Sequence, residues 1–373
     1  MRSGSVRLFR IAGIDVNVHI SWLVIFGLVT WSLSQEYFIP PLVPSLPEAE
    51  RLTLGAAAAI LLFVSVLLHE LAHSFVARWR GLGAHSITLF IFGGVSTLEG
   101  DAPQASTEFL VAIVGPLMSF ALAGVSYVLA SAIDEARAAA LLSYLFVING
   151  LLGVFNLVPG FPLDGGRVLR SIVWTVTGSR RRGLEIAVAV GQLVSYGFMI
   201  LGFVWVLSGE LLNGIWFVAI GWFLQNAGSA NLRAVRLEDA LKGIAVRNVL
   251  RPDTASVGVN VSVENLIEEY LMPANRRVMP VTDHGRLVGM ISLSDIRAVP
   301  PEARRSTTVG SIMGGHDGVV AVQPSTPVTE ALKAMTDGGF EQLPVTDDGN
   351  LVGVLTHGDV IRQLQLREAL RVH

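Results

Sequence analysis

"LLHELAHSF", Leu67 to Phe75, places two histidines and a glutamate inside an apolar run that starts near Leu52 and ends at Arg78. The surrounding chain of 373 residues has a mean hydropathy of +0.56, and only 15% of its residues are charged. An ordinary soluble protein carries about 25%. The three ionisable groups therefore lie at the depth of a bilayer, where each costs about 3 kcal/mol even on lenient insertion scales. Something must compensate, and a divalent cation would. On a helix His69 and His73 are four apart and project from one face, with Glu70 beside them. This His-Glu-x-x-His spacing lets both imidazoles reach one zinc ion and leaves the carboxylate next to the water that the metal activates. The plain alternative is a pair of histidines packed between helices.

Six stretches are apolar enough to be read as membrane spans: about 19–35, 53–78, 108–132, 139–158, 184–208 and 211–227. Arginines sort the loops. Arg2, Arg7 and Arg10 precede the first span, Arg78 and Arg80 follow the second, and Arg167, Arg170 and Arg180 to Arg182 separate the fourth and fifth. Arg233 and Arg236 follow the sixth, whereas the opposite loops are acidic or nearly neutral. The pattern predicts a multi-pass protein of the cell membrane with both termini in the cytoplasm. The basic N-terminus lacks a small-residue cleavage site, so its apolar stretch reads as a retained span.

Between the second and third spans, "HSITLFIFGGVSTLEG" (His85 to Gly100) is too short and too broken by glycine to cross. β-favouring residues on both sides of Gly93-Gly94 predict a hairpin, and an ordinary amphipathic loop is the alternative. An unwound transmembrane substrate needs new partners for its backbone, and the edge Phe92-Gly93-Gly94-Val95 could supply them by strand addition.

Two imidazoles leave a zinc site short of a protein ligand. "NLVPGFPLDGG" (Asn156 to Gly166) offers Asp164 just past the end of the fourth span, where Pro159 and Pro162 stop the helix. That end matches the depth of His69 and His73 in theirs. Capping the next short helix is the alternative role for Asp164. Asn156, two turns earlier, could donate its amide to a developing oxyanion, or could make a helix-packing hydrogen bond. Asn149 is a weaker candidate for either part. His19, at the opening of the first span, reads as an interfacial histidine.

After about residue 236 the composition becomes that of a soluble domain and repeats itself. "MPVTDHGRLVGMISLSDI" (Met279 to Ile296) matches "LPVTDDGNLVGVLTHGDV" (Leu343 to Val360) at an offset of 64. The expected architecture is thus a polytopic α-helical membrane domain, residues 1–235, followed by an α/β repeat, residues 236–373, with copies near 245–300 and 307–365.

The membrane-embedded His-Glu-x-x-His, followed across two spans by Asn-x-x-Pro-x-x-Pro-Leu-Asp-Gly, resembles the site-2 protease family of intramembrane metalloproteases. The C-terminal repeat is similar to a tandem CBS pair, an attachment that marks one subgroup of that family. The resemblance implies one zinc held by His69, His73 and Asp164, with Glu70 as catalytic base and Asn156 beside the oxyanion. It implies as substrate a single-span, membrane-tethered regulator such as an anti-sigma factor or a sigma-factor precursor. In CBS pairs the pattern of Ser292 with Asp295 and Thr356 with Asp359 commonly marks an adenine-nucleotide site, and such pairs often dimerise. The alternative for Ser292, Asp295, Thr356 and Asp359 is helix capping. A CBS-gated metal-ion transporter or channel is the competing function, although a transport site needs neither a base beside its first ligand nor an oxyanion donor. The net charge of −3 and a pI near 6.2 give no basic field for nucleic acid. The absence of cysteine excludes thiolate chemistry.

Overall fold

The structure is a computed structural model that describes residues 4–91, 93–100, 102–250, 255–272, 277–315 and 320–370. It divides into two compact units, residues 1–232 and 233–373.

The first unit opens with two short strands, β1 (Ser5–Ile11) and β2 (Ile14–His19), joined at Ala12-Gly13. Both turn residues have positive φ, 48° and 82°, as the twist of a two-residue hairpin requires. The predicted Gly93-Gly94 hairpin is present as β3 (Gly83–Phe90) and β4 (Gly93–Glu99), with Phe90 opposite Gly93. The four strands form one sheet in the order β1-β2-β3-β4, in which β2 and β3 run parallel from Asp15 opposite Ser86 to Val18 opposite Leu89. Alternate residues point to one face, so Ile14 and Val16 of β2 and Ile87 and Leu89 of β3 bury together. They pack against Leu67 and Leu71, which lie one turn apart on helix α2, two residues either side of His69. Each such side chain contributes about 1.5–3 kcal/mol when fully buried. The sheet is thereby fastened beside the helix that carries the histidines.

The helices of this unit are α1 (Ser21–Ser32), α2 (Glu48–Trp79), α3 (Ala105–Ala132) and α4 (Ala136–Asn156). They continue with α5 (Asp164–Thr177), α6 (Arg180–Leu207) and α7 (Leu211–Leu241), the last of which runs on past residue 232. Glu135 caps α4 by accepting from the backbone N–H groups of Arg137 and Ala138, and Ser179 caps α6 through Arg182. Among the described residues four helices, α2, α3, α4 and α6, are long and apolar enough to cross a membrane. The first predicted span is a helix of 12 residues followed by a π-turn over Leu33–Tyr37. The sixth falls within α7.

The second unit realises the 64-residue offset as a structural duplication. Strands β6 (Val278–Asp283) and β7 (Arg286–Ser292) recur as β9 (Gln342–Asp347) and β10 (Asn350–Thr356). The turns repeat as well, with φ of 47° and 83° at His284-Gly285 and 48° and 83° at Asp348-Gly349. With β5 (Val257–Gly258) these strands form a sheet in the order β5-β6-β7-β10-β9, and β8 (Gly314–Gly315) adds to β7. Each copy has its own apolar core, one around Met279, Val281 and Ile291, the other around Leu343, Val345 and Leu355.

Candidate metal centre

Helix α2 carries His69 and His73 on one face, both buried, and α5 begins at Asp164. The three side chains converge. Nε2 of His69 and Nε2 of His73 are 3.1 Å apart, and each lies 3.1 Å from the same carboxylate oxygen, Oδ2 of Asp164. Ligand atoms in a zinc tetrahedron, at about 2.0–2.1 Å from the metal, stand roughly 3.3 Å from one another. The triangle is therefore the size of one face of such a site.

Its protons point the same way. Nδ1 of His73 lies 2.5 Å from the carbonyl oxygen of Val111, which can only accept, so Nδ1 carries the ring proton. Nε2 of the neutral ring then presents a lone pair to the triangle. Nδ1 of His69 lies 2.9 Å from Oγ of Ser119, a hydroxyl able to accept its proton and leave Nε2 free to bind a metal. With both Nε2 atoms unprotonated, the three would be acceptors facing one another at 3.1 Å, an arrangement that a cation among them would stabilise. Metal-bound imidazoles almost always have their second nitrogen fixed in this way.

Helix α3 supplies both of those partners, and it also leaves room. A Cβ at Gly115 would lie 2.1 Å from Nε2 of His73 and 2.7 Å from Nε2 of His69. Only glycine lets α3 pass this close to the ligand atoms. The donor set, the proton pattern and this clearance all fit zinc.

Glu70 lies beside His69 in the chain, and its Oε2 accepts a hydrogen bond of 2.5 Å from Oγ of Ser96 on β4. A Cβ at Gly94 would come within 2.6 Å of Cγ of Glu70, so β4 runs directly over the carboxylate stem. The strand stands at the end of the sheet order, with Val95 exposed. Gly93 adopts a φ of 128°, and Phe92, the remaining residue of the predicted substrate edge, lies outside the described residues. Asn156 is the last residue of α4, and its Nδ2 donates to the Leu152 carbonyl at 3.0 Å. Asn149 is buried and donates to Oγ of Ser65 at 3.1 Å, a helix-packing bond. His19 bonds Ser21 at the start of α1, with 2.8 Å between Nδ1 and Oγ.

In the second unit the two hydroxyl–aspartate pairs are engaged with themselves. Oδ2 of Asp295 accepts from both the Oγ and the backbone N–H of Ser292, at 2.6 and 2.8 Å. Asp359 does the same for Thr356, at 2.6 and 3.1 Å. Both are reciprocal caps at the start of the helix that follows β7 or β10.

Sequence patterns match this arrangement of chemistry. Residues 57–201 match Peptidase family M50, and residues 246–302 and 309–366 match the CBS domain. A relative from Mycobacterium tuberculosis named zinc metalloprotease Rip3 is 35% identical over 370 residues, covering 97% of this chain and 93% of its own length. The chain belongs to peptidase family M50, the site-2 proteases. A further relative of this site-2 protease is the zinc metalloprotease MJ0392 of Methanocaldococcus jannaschii, 29% identical, with 98% of this chain and 99% of that one covered. The solved site-2 protease from the same organism is 31% identical, covers 61% of this chain and 95% of its own, and superposes with a TM-score of 0.45.

Sequence reasoning missed Ser96, Val111, Gly115 and Ser119. Gly115 carried a signal, a glycine followed by proline inside an apolar span, where neither residue favours a helix. Ser119 and Ser96 are ordinary hydroxyls in sequence, and the Val111 carbonyl leaves no trace in it at all.

Proposed function

We propose that this site-2 protease is an intramembrane zinc endopeptidase that cleaves within the transmembrane segment of a single-span, membrane-tethered regulatory protein. The observation that carries the reading is the convergence of His69, His73 and Asp164 on one point with Glu70 alongside. Zinc held by these three residues supplies Lewis acidity and makes water a competent nucleophile at neutral pH. Glu70, oriented by Ser96, accepts the proton of the attacking water and delivers it to the departing amine nitrogen. Asn156 turns its amide toward the developing oxyanion, exchanging its bond to Leu152 for it. The free edge of β4, including Gly93, Gly94 and Val95, takes the unwound substrate backbone as an added strand and brings it over Glu70.

The chain around this site makes six passes with both termini in the cytoplasm, as the arginine distribution argues. Its substrate class is that of an anti-sigma factor or sigma-factor precursor. The CBS pair binds an adenine nucleotide next to Ser292, Asp295, Thr356 and Asp359 and associates with the pair of a second copy. A nucleotide acts only so far as it binds one arrangement of the protein more tightly than another. The relatives' names speak for a protease over the CBS-gated transporter.

The test is cleavage of a panel of single-span substrates by the full chain purified in detergent, wild type against Glu70→Ala, with metal content measured on both. Wild type should cut within the span. Glu70→Ala should keep its zinc and lose about 10²–10⁴ in rate, the usual worth of a general base. Undiminished cleavage by Glu70→Ala, or wild-type protein that cannot be loaded with zinc, would sink the reading.

A further inference from the structure

The three candidate ligands sit on two elements, α2 and α5, and a third, α3, touches the supports of both. Glu108, Val111, Gly115 and Ser119 follow one another along α3 at spacings of three and four, which places them on a single face. Val111 and Ser119 hold the two Nδ1 atoms, and Gly115 lies over the two Nε2 atoms. Glu108, fully buried, continues the same face towards α5. Its Oε1 accepts from Nε of Arg170 at 2.6 Å and from Nη2 of the same guanidinium. Arg170 is itself only 8% exposed, and its guanidinium carbon lies 5.2 Å above the Phe161 ring, in the turn that leads to Asp164. It is six residues beyond Asp164 on α5, about 9 Å along the helix.

A fully buried ion pair is a poor choice for holding two helices together, because desolvation offsets much of its attraction and apolar residues of similar volume often do as well. It is a good choice for fixing register. A planar guanidinium whose Nε and Nη2 both donate to one buried carboxylate oxygen tolerates little sliding, whereas packed apolar surfaces tolerate more. The ligand triangle needs that precision, since metal–ligand distances must hold to within about 0.2 Å. None of the chemistry assigned to Glu70 or Asn156 uses either charge.

We infer that the Glu108–Arg170 pair is a positioning clamp: it sets the depth and rotation of α5 against α3 and so holds Asp164 where His69 and His73 converge. The two histidines and the aspartate are then all referenced to one helix. This rests on the reading of His69, His73 and Asp164 as zinc ligands, and neither Glu108 nor Arg170 touches the metal or the substrate.

The experiment measures zinc affinity by chelator competition on the full chain in detergent, beside its thermal melting and its cleavage kinetics. Glu108→Gln removes the charge and keeps the volume. A double variant, Glu108→Leu with Arg170→Leu, leaves no unpaired buried charge and guards against a single variant that fails to fold. In both, the clamp predicts zinc held at least tenfold more weakly, the usual effect of losing an outer partner of a metal ligand. In the double variant this should occur with melting close to wild type, and with kcat lowered more than KM is raised. Wild-type zinc affinity in the double variant would overturn the clamp whatever Glu108→Gln does, because a merely structural pair can be replaced by apolar packing. Asp164→Ala, which should lose zinc in either case, separates the two readings. If Asp164→Ala binds zinc as wild type does, the ligand assignment itself has failed. If Asp164→Ala loses zinc and the double variant does not, only the clamp has.

Discussion

The metal centre and the CBS repeat both contain carboxylates within hydrogen-bond reach of polar neighbours, but the two regions have opposite proton balances. At Asp164 the neighbours are imidazoles whose other nitrogens are held by the Val111 carbonyl and the Ser119 hydroxyl. In that tautomer acceptors face acceptors. At Asp295 and Asp359 the neighbours are a hydroxyl and a backbone N–H, so each carboxylate is satisfied by its own helix start. The first arrangement has the donor set to take a cation. The second needs nothing further to be stable, and a nucleotide there must compete with an existing set of bonds.

The contrast can be broken most severely at Gly115. A Cβ there would lie 2.1 Å from a ligand nitrogen, so Gly115→Ala should push His73 out of the triangle. Zinc affinity should fall by about 100-fold or more, the upper range for disturbing the support of a metal ligand, and chelator competition would show it. An unchanged affinity would mean that α3 does not pass where the structure places it. The next effect is smaller and leaves the metal alone. Ser96→Ala removes a hydrogen bond to a charged group, worth about 1.5–3 kcal/mol. Single-turnover cleavage should slow by at least about tenfold with zinc content unchanged, and Ser96→Thr should recover much of the rate. Loss of zinc in Ser96→Ala would show that β4 supports the ligands as well as the base. The smallest effect is expected in the second unit. Ser292→Ala and Thr356→Ala each remove a cap and should cost about 1 kcal/mol of local stability, seen as a lower melting temperature. Added adenine nucleotide should then raise the melting temperature of wild type more than that of either variant. An equal rise in all three would place any bound nucleotide elsewhere.

How much of this was legible depended on whether a feature is local in the chain. His69, Glu70 and His73 are readable because their chemistry is a spacing on one helix. Asp164 is 91 residues from His73, yet the depth at which its span ends, together with the prolines before it, pointed to the same level of the membrane. The 64-residue repeat was visible because both copies preserve the alternation of their strands and the turn between them. The β1–β2 hairpin was missed. Its apolar residues are interspersed with Arg7, Arg10, Asp15 and Asn17, and its buried face is completed by β3, some 70 residues later. The outer partners of the histidines escaped for a different reason: they are defined by which face α3 turns towards α2, and an all-round apolar helix does not advertise a face.

The parallel ladder between β2 and β3 has a consequence for topology. Strands that share a ladder lie on one side of the bilayer, so the chain between His19 and Gly83 must cross it an even number of times. If helix α2 is one crossing, parity asks for a second from the segment before it, α1 and its π-turn, which 12 residues of helix would not suggest by length alone. A backbone pairing of four residues thus constrains parity where hydropathy leaves it open.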